Sequence, residues 1–142
     1  MPREAILLAI RGVAALSGAL LLAATAACGG QVPLDSHPAD ADAAGDLAGS
    51  VAAAAGCDDL EAETAGDGHW DFTCRRGDDS FLVQAVATAA TRQTLTAALT
   101  AAGTPVKGGP YYLVSPMPAC PEKDLRTCVT PPASSLEAFP GS

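Results

Sequence analysis

Two imidazoles, His37 and His69, are all that the chain offers for acid–base work by histidine. His69 stands two residues before Asp71, so on a strand the pair shares a face and has the makings of a base and its orienting carboxylate. No Gly-x-Ser-x-Gly turn supplies a serine nucleophile. Carboxylates pair up at Asp58–Asp59, Glu61–Glu63 and Asp78–Asp79. Glycoside hydrolysis needs two carboxyl groups about 5 to 9.5 Å apart across a cleft, and nothing in the pattern singles out one pair. Gly108-Gly109 lacks the lysine or helix of a phosphate loop. Asp40-x-Asp42 begins like a calcium loop, yet Ala44 takes the fifth position and Val51 stands where the closing glutamate belongs. His37 has no ligand partner nearby in sequence, and the cysteines form no Cys-x-x-Cys pair for zinc or redox chemistry. The residue types thus predict no catalytic set, no metal site and no cofactor, so the protein is expected not to be an enzyme.

The remaining chemistry is that of cysteine: Cys28, Cys57, Cys74, Cys120 and Cys128. Before Cys28 the chain opens with Arg3, Glu4 and Arg11, continues as an apolar run from Gly12 to Leu22, and ends in the small residues Ala23 to Ala27. This is the three-part plan of a secretory signal peptide, predicted over residues 1–27. Counted from Ala5, the run approaches the about 20 residues of a membrane-spanning helix. The small residues before Cys28 favour cleavage over a retained anchor.

Thr25-Ala26-Ala27-Cys28 resembles the lipobox of bacterial lipoproteins. The resemblance implies a diacylglycerol on the Cys28 thiol, cleavage before Cys28 and a lipid anchor on the extracytoplasmic side of the cell membrane; ordinary secretion is the alternative. Lipidation of Cys28 would also settle the odd cysteine count, leaving four that can form two disulfides in an oxidising compartment.

Charge narrows the partners. The chain has 8 Lys+Arg against 16 Asp+Glu, and removal of residues 1–27 leaves 6 against 15. Such a surface repels nucleic acid and anionic headgroups, so membrane contact is expected through the N-terminal lipid alone.

These groups must be positioned by a small fold. Residues 28–44, the lipidated cysteine followed by a stretch rich in Gly, Pro, Asp and Ala, read as a flexible tether. Residues 45–129 read as one small domain that two disulfides would help to stabilise. Leu47, Val51 and Ala54 recur at helical spacing before Gly56 and predict a helix from Asp46 to Ala55. Alternation in CDDLEAET and HWDFTC predicts two strands about an Ala65–Gly68 turn, with Trp70, Phe72 and Cys74 on one face and His69, Asp71 and Thr73 on the other. Folding that hairpin brings Cys57 opposite Cys74, which predicts Cys57–Cys74 and, for the remaining two, Cys120–Cys128.

Arg76-Gly77-Asp78 spells an integrin-binding tripeptide, but Gly-Asp is ordinary turn chemistry. It leads into FLVQAVAT, the most apolar strand and the expected centre of the sheet. A second helix is expected from Ala90 to Ala102, and a closing hairpin over Thr104–Lys107 and Tyr111–Val114. The predicted order is α-β-β-β-α-β-β, an α+β fold with two helices on one face of a largely antiparallel sheet. Residues 130–142 read as a disordered tail.

The expected function is that of a membrane-anchored envelope lipoprotein whose small non-catalytic domain binds a protein or another envelope component. In this the chain resembles the small alanine-rich lipoproteins of high-GC bacteria. The alternative is a carrier with an apolar ligand in a groove near Trp70, Tyr111 and Tyr112; a hydrolase ranks third. The Cys120–Cys128 loop would present Glu122, Lys123, Asp124 and Arg126 to solvent or to a partner.

Overall fold

A computed structural model describes residues 31–120 and 128–142. The predicted signal peptide, Cys28 and the charged residues of the Cys120–Cys128 loop lie outside the described residues.

The fold is α+β. Helix α1 (Ala41–Ala55) is followed by strands β1 (Asp59–Gly66), β2 (His69–Arg76) and β3 (Asp79–Val86), helix α2 (Ala89–Ala101), and strands β4 (Lys107–Gly109) and β5 (Tyr112–Pro116). A short 3-10 segment (Ala133–Ala138) closes the chain. The sheet runs β1-β2-β3-β5-β4, and all neighbouring strands are antiparallel.

Helix α1 begins five residues earlier than its apolar spacing suggested. The Asp40 side chain accepts a hydrogen bond from the Ala43 N–H at 2.9 Å and so satisfies one of the donors that every helix start leaves open. The aspartates read as tether chemistry are therefore a cap and the first turn. Gly56, at φ 75°, ends the helix with its N–H turned back to Ala52 and Ala53. Between these ends Ala44, Leu47, Ala48, Val51 and Ala55 are buried, one stripe repeating every three to four residues.

That stripe packs on one face of the sheet. Cross-strand rows place Leu60 beside Cys74 and Cys74 beside Phe81, then Phe72, Val83 and Val114, then Trp70, Ala85 and Tyr112. Most of these residues join the α1 stripe in a single core cluster. Burying one such side chain is worth about 1.5 to 3 kcal/mol, so this layer supplies most of the driving force for folding.

Two segments expected to be loose belong to the same core. Pro38 is fully buried, Val32 and Leu34 pack against the cluster, and the Val32 N–H donates to Ser50 Oγ at 2.8 Å. At the other end Leu136 and Phe139 are buried, with the Phe139 ring centroid 4.8 Å from that of Phe81. Ser142 exchanges backbone hydrogen bonds with Gly108 at the edge of β4. The expectations of a tether running to Ala44 and a disordered tail from Thr130 are corrected accordingly. A few apolar side chains spaced along Gly- and Pro-rich chain are enough to pin it once the sheet offers a surface.

The sheet is covered on both sides. Gln84, Val86, Leu113 and Ser115 alternate onto the face away from α1 and are buried too. Helix α2 connects β3 to β4, which is parallel to β3 with β5 between them. Helix α2 packs against β3 and β5. The signal of two-sided cover was present in FLVQAV, whose apolar residues do not alternate, as befits a strand buried on both sides. Helix α2 itself has no fully buried residue; Leu95 and Leu99 are half-buried.

Both expected disulfides are present, Cys57–Cys74 and Cys120–Cys128. The hairpin argument for the first needs amendment. In the observed register Cys74 faces Leu60, and Cys57 lies before β1, just beyond the Gly56 cap. The way the chain leaves α1, and not direct opposition across the hairpin, brings the two Cα atoms to 5.7 Å. The second disulfide is braced by an isolated bridge between Ala119 and Val129.

Candidate functional site

A cleft opens between the start of α2 and the β4–β5 hairpin. It has a volume of about 450 Å³ and is lined by residues that include Ala89, Arg92, Gln93, Gly109, Pro110 and Tyr111. Helix α2 is set by Thr88, whose side chain accepts from the Thr91 N–H at 3.1 Å, and this start directs Arg92 toward the hairpin. There the Arg92 Nε–H donates to the Gly109 carbonyl. The hairpin approaches closely because it is built of glycine: a Cβ on Gly109 would meet the Tyr112 ring, and one on Gly108 would stand 2.2 Å from the Tyr112 carbonyl oxygen.

Tyr111 closes one side of the cleft. Its ring stacks on the His37 imidazole, with centroids 4.5 Å apart and planes inclined by 25°. His37 Nε2 in turn donates to the Ala87 carbonyl. A histidine read as an idle residue of the tether is thus the clasp that holds the entering chain against the sheet.

The three aromatic residues expected to share a ligand groove do not do so. Tyr112 is 1% exposed, and its hydroxyl donates to the Pro140 carbonyl at 2.9 Å. Burial raises its pKa above the ordinary value, with the positive charge of Arg92 acting in the opposite direction. Tyr112 is therefore a core residue. Trp70 lies two strands away in the same cross-strand row and lines a separate, smaller hollow of about 170 Å³ with Ala41, Ala62, Ala65 and Phe72. Of the three, only Tyr111 reaches the main cleft. Strand alternation, which sequence spacing did not resolve at the Pro110 turn, separates the adjacent tyrosines.

His69 and Asp71 do share a face, with Nδ1 and Oδ1 2.8 Å apart. The same Asp71 oxygen accepts from Gln84 Nε2 at 3.1 Å. The half-buried carboxylate is thus held by two neighbours, and among the described residues no serine or threonine hydroxyl hydrogen-bonds to His69. The arrangement matches a satisfied polar patch beneath the sheet's second face. Asp78 and Asp79 border a further cleft of about 310 Å³ with Met117, Pro118 and Val129. Among the described residues no group of three or more His, Cys, Asp or Glu gathers to hold a metal.

Arg92 escaped the reading of the sequence, because a lone arginine in a threonine- and alanine-rich helix has no motif around it. Its only sequence mark is its place in a long stretch without acidic residues. Compared with known proteins, the chain matches no family model, no curated protein and no solved structure.

Proposed function

We propose that the protein is an exported lipoprotein, anchored by lipid at Cys28 on the extracytoplasmic side of the cell membrane, whose small α+β domain binds a partner or ligand without catalysis. The observation that carries this reading is the pairing of cysteines. Cys57–Cys74 and Cys120–Cys128 account for every cysteine beyond residue 28. Two disulfides in so small a domain fit an oxidising compartment. They leave one odd thiol, and it stands in the lipobox-like sequence Thr25-Ala26-Ala27-Cys28. Durable attachment needs two or more acyl chains, since a single chain binds membranes only marginally.

The binding part of the proposal is supported by the site. The main cleft brings together one guanidinium, an amide and a phenol, a set suited to recognition. A carrier role is the second reading, with the main cleft, of about 450 Å³, as the candidate seat of its ligand.

The test is intact mass and fractionation. Protein extracted from its host should have the mass of residues 28–142 plus acyl chains, less four hydrogens. Cys28→Ala should leave the domain folded and release it from membranes. A Cys28→Ala chain that still sediments with membranes, or a native mass without lipid, would overturn the anchoring proposal.

A further inference from the structure

We infer that the cleft between α2 and the β4–β5 hairpin binds a small organic carboxylate with a planar apolar body, held by the Arg92 guanidinium. This goes beyond the anchoring proposal and stands whether or not Cys28 carries lipid.

The first ground is an unanswered charge. The Arg92 Nε–H is used on the Gly109 carbonyl, which fixes the plane of the guanidinium. The N–H groups of its two terminal nitrogens have no acceptor among the described residues, and no carboxylate there pairs with it. Of the other described arginines, Arg75 pairs with Asp59 at 3.4 Å, and Arg76, whose Nε–H likewise donates to a carbonyl, that of Ala55, shares its hollow with the Asp58 carboxylate, whereas no Asp or Glu lines the cleft of Arg92. A fixed guanidinium with free terminal N–H groups matches the two oxygens of a carboxylate.

The second ground is the distribution of acid along the chain. The sequence carries a net charge of −8, yet from Ser80 to Pro121 it contains no Asp or Glu. Helix α2 and the β4–β5 hairpin fall wholly inside that stretch, and its cations are Arg92 and Lys107. Repulsion from the acidic remainder is screened over about 8 Å at physiological salt, and Arg92 carries the one charged side chain among the residues that line the cleft, which also include Ser142.

The third ground is the wall. Tyr111 is half-buried and held by its stack on His37, so its ring lines the cleft at little conformational cost. With Pro110 and Ala89 it makes the apolar side of the cleft, while Gln93 offers an amide beside Arg92. Cation at one end and flat apolar surface at the other define a carboxylate on a planar body.

The experiment is an NMR titration of the full, isotope-labelled chain in mild detergent with benzoate, benzamide, acetate and inorganic phosphate. Benzoate should give saturable shifts centred on Arg92, Gly109 and Tyr111. Benzamide, which keeps the shape and loses the charge, should bind about tenfold more weakly, the loss expected for a hydrogen bond to a charged group. Arg92→Gln should weaken benzoate by the same factor with the melting temperature preserved; if that variant does not fold, the benzamide comparison still decides. Absence of saturation with benzoate, equal binding of benzamide, or shifts centred elsewhere would overturn the site. Acetate binding as well as benzoate would overturn the apolar body, and phosphate binding more tightly than benzoate would overturn the carboxylate.

Discussion

Replacing both Cys57 and Cys74 by alanine tests the account of the core most directly. The two cysteines are 17 residues apart in sequence, and a closed loop of that length restricts the unfolded chain by about 3 kcal/mol. Cys74 is 0% exposed, so removing its sulfur also empties a packed position and adds about 1 kcal/mol. The sum, about 4 kcal/mol, is a large share of the 5 to 15 kcal/mol that stabilises a typical domain. For a domain of this length, each kcal/mol lowers the melting temperature by about 4 °C, so the variant should melt about 15 °C below the parent. Circular dichroism melts without reductant, checked for reversibility, give the shift, and urea titrations give the free energy independently. The matching variant Cys120→Ser/Cys128→Ser removes a disulfide that closes a loop of only 8 residues, with an entropic expectation of about 2.5 kcal/mol and no buried sulfur equivalent to Cys74. A drop below about 5 °C for the Cys57/Cys74 pair, or a larger loss for the Cys120/Cys128 pair, would refute the argument that the first disulfide ties the end of α1 into the core.

Three further perturbations probe other contacts. Phe139→Ala should cost about 3 to 5 kcal/mol in urea titrations, because the ring is 1% exposed against Phe81; an unchanged midpoint would mean that the C-terminal segment does not unfold with the domain. Asp40→Ala should lose about 1 kcal/mol and a little helical signal, and an unaltered melt would show that the Asp40 cap adds nothing to α1. Tyr112 gives a pH dependence: its folded pKa lies above the ordinary value near 10, so the folded state holds its proton longer than the unfolded chain. The stability it contributes is therefore complete below about pH 10 and declines as the pH rises through its folded pKa. Melts from pH 8 to 11.5 should show that decline in the parent and a shallower one in Tyr112→Phe; equal slopes would exclude Tyr112 as its source.

Local chemistry along the chain determined much of this protein. Alternation in HWDFTC placed Trp70, Phe72 and Cys74 together and His69 with Asp71 opposite, because a strand has only two faces and burial selects one. Gly56 ended α1, and Gly-rich turns separated the strands, because these positions need backbone conformations that other residues adopt only under strain. Four cysteines in a small domain led to the right two pairs. What depends on distant partners was decided only by tertiary structure. Val32, Leu34, Pro38 and Phe139 are sparse apolar residues in polar surroundings, and nothing near them in sequence shows that a sheet surface waits to receive them. The insertion of β5 between β3 and β4 depends on three elements at once. Arg92, Tyr111 and His37 meet only because α2, the β4–β5 hairpin and the entering chain converge on one edge, and no spacing rule within any one segment encodes that convergence.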